Sequence, residues 1–384
     1  MKLGLINIAI LLLTTVCFSQ TGIFQKVVPN PTGENGFEEY VKAADIISDP
    51  QFSNLWAQYQ LQRPNEMNYL TAAKNLISVF REPLSLIRAG NRKNVSDTRE
   101  RIVLSTQFWE LPLFPLLAEL LRAESFVYFS EGKTVEGIAS AFEAITFARK
   151  MSICSAMHFK LSHTIIMQMI QYLYEHSLQF TLDDVKKLPL EHCQKILEVN
   201  TLKSCLERTY YSHITSLEEF FDEEWWQEVV GSQEFVELAQ QLSKMTFLER
   251  QEAKAKAASA IRFVNSRVSE MISKPENEWA EVISPQADQL TGMVLNALIS
   301  PNDLLRMELQ IRTKIRMLSV SAKVLQFRWE NAVLPPDLAP LKSPELVRDP
   351  IASREFMIRR FLNMFDIMSA GNSFVPAMSL SGSF

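Results

Sequence analysis

Turn-forming residues are scarce, with 11 glycines and 17 prolines in 384 residues. A β-sandwich or barrel needs many more of them, so an all-β architecture is excluded. Four cysteines are too few for a disulfide-stapled scaffold. Past the N-terminus no apolar run reaches the ~20 residues that cross a bilayer. Leu111 to Leu121 contains two prolines and a glutamate, and Leu290 to Ile299 is too short. The chain has neither Gly-x-Ser-x-Gly nor Gly-x-Gly-x-x-Gly, which removes the common nucleophile-elbow and dinucleotide patterns. A formal charge of −5 argues against general nucleic-acid binding, which depends on clustered cations against phosphates.

What is present begins with a secretory signal. Lys2 precedes an apolar stretch from Leu3 to Val16, followed by small residues, with Cys17 and Ser19 in the positions that signal cleavage favours. Residues 1–19 are therefore read as a signal peptide cleaved after Ser19, giving an exported, periplasmic or extracellular protein. The run is too short for a retained anchor and lacks a basic C-terminal flank. Thr14, Thr15 and Val16 lack the small residue expected ahead of a lipidated cysteine. Cleavage removes one lysine, so the formal charge falls from −5 to about −6. Cys154, Cys193 and Cys205 remain, an odd number that allows at most one internal bridge. A chain reversal near Asn200 would bring Cys193 and Cys205 face to face, whereas one continuous helix would hold them about 18 Å apart.

Hydrophobic residues make up 47% of the chain, enough to fill a sizeable core, and the composition is rich in residues that favour helix. Residues 20–36, with two prolines, read as an extended leader. Residues 37–331 read as a helical body. Its first helix is signalled by Glu38 and Glu39 in the opening turn and by Tyr40, Val41, Ala44 and Ile47 at helical spacing. From Leu116 to Lys150 two apolar stripes flank a turn at Glu131-Gly132-Lys133, an αα-hairpin. Further helices are expected at Ser155 to Gln179, Leu190 to Val199, Leu202 to Val230, Gln233 to Ser273, Gln286 to Ile299 and Asn302 to Asn331. Within Gln233 to Ser273 the apolar positions 235, 238, 242 and 245 are out of frame with 257, 261, 264, 268 and 271. A bend near 253–258, or two antiparallel helices, is expected. Residues 332–384 read as loop, β-hairpin and tail, with strands at Glu355 to Arg360 and Leu362 to Met368.

Tyr128, Gly132, Gly137 and Ala144 sit at offsets that resemble a single tetratricopeptide-type unit, but no second copy follows, so the resemblance implies helix pairing only. The stretch from Lys323 to Asn372 has a long helix, a proline at its exit, the Asp349-Pro350 turn and a terminal hairpin closing on Gly371. It resembles the C-terminal end of type II secretion pseudopilins. The N-terminus lacks their Glu-bearing prepilin motif, so the resemblance implies a hairpin and no secretion role. The whole chain is similar to a loosely defined group of signal-bearing helical bacterial proteins of unassigned function.

Gly132-Lys133-Thr134 imitates the end of a phosphate loop, yet position 127 is valine and the lead-in is helical, so a hairpin turn explains it better. His158 and His176 share a helix face but stand about 27 Å apart along it, too far for one metal. His192, Cys193, Cys205 and His213 miss the spacing of paired metal ligands. The run Glu218-Glu219-Phe220-Phe221-Asp222-Glu223-Glu224-Trp225-Trp226 offers carboxylates or an aromatic platform. An amphipathic helix burying Leu217, Phe220, Phe221, Trp225 and Val229 accounts for it, with Glu218, Asp222 and Glu223 facing outward. Arg306, Arg312, Arg316 and Lys323 read as solvent-facing charges on a long helix.

The expectation is an all-α helical bundle or irregular helical array with a small C-terminal β-hairpin. No catalytic, cofactor-binding or metal-binding residue is assigned. The expected role is an exported, non-catalytic protein acting by protein interaction in the cell envelope, with another envelope protein as the partner considered. The alternatives are an envelope hydrolase assembled from distant residues and a small-ligand carrier. N-terminal sequencing of secreted material is expected to start at Gln20. An intact chain retained in the cytosol would overturn the export reading.

Overall fold

The helix-rich composition folds as helix. The computed structural model describes residues 22–62, 67–103, 106–198, 201–221, 233–283, 288–361 and 364–381. Among these, strands are confined to one three-stranded antiparallel sheet near the C-terminus, so the all-α class with a small β element holds. The signal segment and Gln20 lie outside the described residues. The chain divides into two compact units, residues 1–99 with 107–151, and residues 100–106 with 152–384.

The first unit contains α1 (Ile23–Val27), α2 (Gly36–Ile47), α3 (Pro50–Leu61), α4 (Met67–Val79), α5 (Arg81–Arg92), α6 (Phe114–Ser130) and α7 (Thr134–Met151). The single turn α1 lies inside the stretch read as an extended leader. Ile23 and Val27 are buried, and Asp45 accepts the Ile23 N–H at 2.6 Å. Asn35 caps α2 by accepting from the Phe37 N–H, and Asp49 caps α3 ahead of Pro50. Helices α2 and α5 meet at two glycines. A Cβ on Gly90 would stand 2.4 Å from a Tyr40 ring carbon, and one on Gly36 would stand 2.5 Å from the Gly90 carbonyl, so neither position admits a side chain.

The α6–α7 hairpin forms as expected. Gly132 turns the chain at φ +74°, while the Lys133 N–H bonds the Tyr128 carbonyl at 2.9 Å and the Gly132 N–H bonds that of Phe129 at 3.1 Å. This is the left-handed helix stop that glycine favours. Ser125 and Ser140 donate across the hairpin to the carbonyls of Gly137 and Leu121 at 2.7 and 2.9 Å.

A buried ion triad organises the segment between α5 and α6. The Arg99 guanidinium grips Asp97 through two donors, each at 2.8 Å, and reaches Glu110 at 2.5 Å. Both carboxylate side chains are fully buried. The Phe108 and Phe37 rings flank the cation at 4.5 and 5.7 Å.

The second unit contains α8 (Ala156–Ser177), α9 (Leu182–Lys186), α10 (Leu190–Glu198), α11 (Thr201–Phe221), α12 (Gln233–Ser243), α13 (Phe247–Ile272), α14 (Gln289–Ala297), α15 (Pro301–Asn331) and α16 (Pro344–Val347). Its axis is α15, 31 residues long. Buried residues such as Leu304, Leu309, Ile311, Ile315, Leu318, Val320 and Leu325 occur all around it rather than in one stripe. Helices α8, α9, α10, α11, α13 and α16 pack on this helix.

The break in the 233–273 segment falls at Lys244 to Thr246, not at the alanine-lysine stretch, which is interior to α13. The reason is local: Thr246 and Glu249 form a reciprocal capping box that starts a new helix. The sequence leaves open a bridge between Cys193 and Cys205; the structure has no disulfide there, and both are buried thiols. Cys205 faces a core shared with Phe159, Val264 and Leu305, whereas α10 with Cys193 packs on α15.

The sheet comprises β1 (Met357–Phe361), β2 (Met364–Ser369) and β3 (Met378–Leu380), ordered β1-β2-β3. The hairpin was expected and the third strand was not, because three residues carry too little periodicity. Met357 pairs with Met368, and Ile367 with Leu380. Phe365 and Ile367 of β2 are fully buried, and Tyr174 of α8 donates to the Phe365 carbonyl. Asp349 ties the turn before the sheet to its end, accepting from the Ile351 N–H at 2.9 Å and the Ser369 hydroxyl at 2.6 Å.

The Arg99 triad sets a stability expectation. Arg99→Met leaves two buried carboxylates without their cation and is expected to cost roughly 3–5 kcal/mol in denaturant unfolding. Adding Asp97→Asn and Glu110→Gln should recover most of it. An unchanged midpoint for the single variant would show that the triad carries no such weight.

Candidate anion-binding cleft

Two arginines on consecutive turns of α15 define the floor of a cleft in the second unit. Arg312 and Arg316 are four apart and project from one face. Glu308, one turn earlier, lies on the same face and is fully buried. Its carboxylate accepts from Arg312 Nε at 2.8 Å. Glu276 follows α13, in the turn that begins at Pro275, and pairs with both arginines, at 2.6 Å to Arg312 and 3.2 Å to Arg316. Burial penalises the Arg312 guanidinium, but the Glu308 and Glu276 carboxylates more than offset it, so its pKa is raised. Trp279, itself buried, donates its indole N–H to the Lys274 carbonyl at 3.0 Å and places its ring 5.9 Å from the Arg312 guanidinium.

The cleft above this floor has a volume of about 860 Å³, within the usual range of small-ligand sites. Five cationic side chains line it, Lys203, Lys274, Arg312, Arg316 and Arg348, against the acids Glu207, Glu276 and Asp349. Asp349 is spoken for by the Ser369 hydroxyl and backbone N–H groups. Among the described residues Lys203, Lys274 and Arg348 make no ion pair, and all three are exposed. Trp279, Leu202, Leu206 and Ile272 supply apolar wall. The chain is acidic overall, so five cations against three acids make a local excess of positive charge. The arrangement suits an anion with an apolar part.

The structure places the other sequence candidates elsewhere. Gly132-Lys133-Thr134 is the α6–α7 turn. His158 is fully buried on α8, its Nδ1 2.7 Å from the Ser155 hydroxyl that caps the helix. His176, on the same helix, has Nδ1 3.0 Å from the Tyr172 carbonyl. His192, Cys193, Cys205 and His213 form no metal-holding group, and none is found among the described residues. Leu217, Phe220 and Phe221 are buried as expected and Glu218 is exposed, paired with Arg101 at 3.1 Å. Asp222 to Trp226, and Val229, lie outside the described residues.

The solvent-facing reading of the α15 cations needs correction. Lys323 is exposed, but Arg312 and Arg316 are partly buried ion-pair members, and Arg306 bonds Asp303 at 2.9 Å and the Phe374 carbonyl at 3.0 Å. A helix packed on most of its circumference leaves few of its charged side chains wholly solvated. The Glu308, Arg312, Arg316 spacing was a readable signal for this cluster. Glu276, Trp279, Lys203, Lys274 and Arg348 reach it through tertiary packing.

Comparison with protein-family models, curated proteins and solved structures returns no match to this chain.

One buried histidine makes stability sensitive to acid. Burial lowers the His213 pKa from 6.5 to about 4. The unfolded chain therefore binds a proton first as pH falls, and stability drops through the window from pH 6.5 to about 4. The full loss is roughly 3 kcal/mol. His213→Leu should flatten the pH dependence of unfolding in that window. A variant with the same acid slope as the wild type would exclude His213 as its source.

Proposed function

We propose that the chain is an exported, non-catalytic binding protein of the cell envelope whose cationic cleft takes an anionic ligand of small-molecule size. The observation that carries this reading is the cleft composition. Arg312 and Arg316 are fixed on a buried helix by Glu276 and Glu308, while Lys203, Lys274 and Arg348 stand at the opening without carboxylate partners among the described residues. Ion-paired arginines beside exposed cations without an ion pair among the described residues form a site whose inner part is organised before a ligand arrives. The paired Glu276 and Glu308 act as struts for the arginines. Export rests on the Lys2 to Ser19 signal. The apolar wall beside Trp279 favours a ligand with both a carboxylate or phosphate and a hydrocarbon part.

Calorimetric titration of the mature protein with inorganic phosphate, citrate and an alkyl phosphate tests the reading. The alkyl phosphate is expected to bind best, and affinity should fall as salt rises. Lys274→Gln and Arg348→Gln together should weaken binding by roughly tenfold or more, because each removes a charge-assisted contact. The melting temperature should barely move, since both side chains are exposed. Absence of binding by all three probes, or equal affinity in the double variant, would overturn the proposal.

A further inference from the structure

The two edges of the C-terminal sheet are treated differently. Strand β3 is stapled at its outer side: Lys314 of α15 donates to the Ser379 carbonyl, and Gln171 of α8 donates to the Ser381 carbonyl at 2.7 Å. Strand β1 is the opposite edge, with β2 on one side and no strand on the other among the described residues. In an antiparallel pair every second residue of an edge strand turns its N–H and C=O away from its neighbour. Those groups on β1 form a row available to another strand.

A groove of about 1230 Å³ runs along this edge between β1 and the end of α15. Its lining includes Arg328, Trp329 and Val333 on one side and Ile358, Arg359 and Arg360 on the other, with three arginines and no carboxylate. Arg359 is engaged by Asp366 at 2.8 Å. Arg328 and Arg360 make no ion pair among the described residues, and Arg328 lies 5.8 Å from the Trp329 ring. Trp329 is half exposed, yet fixed in place because its indole N–H donates to the Phe180 carbonyl at 3.1 Å. Val333 is 60% exposed beside it. Held apolar surface next to uncompensated cations and an open strand edge is an assembled docking surface.

We propose that β1 takes an added strand from a partner protein, an extended segment that alternates carboxylate and apolar side chains. Its backbone would continue the sheet, its carboxylates would meet Arg328 and Arg360, and an apolar side chain would cover Trp329 and Val333. Charge selects this occupant over a second copy of the chain. Antiparallel pairing of β1 with itself about its centre would set Arg359 opposite the Arg359 of a second copy, a like-charge pair that destabilises the ladder. This surface is separate from the cationic cleft in its lining residues and does not rest on the cleft having a ligand.

Fluorescence anisotropy with a labelled peptide of alternating glutamate and valine, titrated with the full mature chain, tests the proposal. Saturable binding is expected, weakened by roughly tenfold in Arg360→Glu and in Arg328→Glu. A peptide N-methylated at alternate residues should fail to bind, since a methylated amide cannot donate to the ladder. Lys274→Gln and Arg348→Gln should leave the peptide affinity unchanged. Lack of binding, equal binding by the charge-reversed variants, or equal binding by the methylated peptide would overturn strand addition. Loss of binding in the cleft variants would move the peptide to the cleft and overturn it as well. A concentration-dependent dimer in sedimentation, abolished by Arg360→Glu, would show that the edge serves self-association instead.

Discussion

Burial of α15 on nearly every side is the constraint on which the second unit depends. An amphipathic helix covers a core, but a helix packed around most of its circumference becomes one, and its neighbours must then supply the surface. Among the described residues, six helices and two strands of the sheet pack on it. The same burial decides the fate of its charges. Glu308 and Lys314 lie inside the packed region, where an ion without a partner is costly. Glu308 meets Arg312, and Lys314 reaches the Ser379 carbonyl. Burial lowers the Lys314 pKa to about 8, so this contact holds a lysine that is easier to discharge than a surface one. The cleft is a by-product of that arrangement: Arg312, which neutralises the buried Glu308, also lines the cleft beside Arg316.

Much of the helical organisation was legible because it follows from local chemistry. The boundaries of α8, α10 and α15 fall within a residue or two of those expected from apolar period and capping residues, and the α6–α7 turn follows from Gly132. The start of α13 was legible too, in Thr246 and Glu249, but the heptad shift ten residues later was the louder signal and misplaced the break. Local caps decide where a helix starts. A change of apolar frame reports only which neighbour each stretch meets.

The cleft and the Arg99 triad were mostly illegible for a different reason. Asp97, Arg99 and Glu110 look like ordinary surface charges in a polar loop. Their value lies in burial between Phe37 and Phe108, from elements far apart in sequence. Likewise Lys203, Lys274, Glu276 and Arg348 come from three separate segments, and only the Glu308, Arg312, Arg316 row carries a local period. Charge counted along a chain says little about charge gathered in space.

The division into units is not a division of the chain into halves. Residues 100–106 belong with the second unit although 107–151 return to the first, and Arg101 pairs with Glu218. A chain delivered from its N-terminus therefore presents Arg101 long before its partner exists. The first unit can close once residue 151 has emerged, but Arg101 must wait until α8 to α11 have also been made. That order of arrival leaves Arg101 without Glu218 until α11 is made, and a cut at residue 151 would put the two on different fragments.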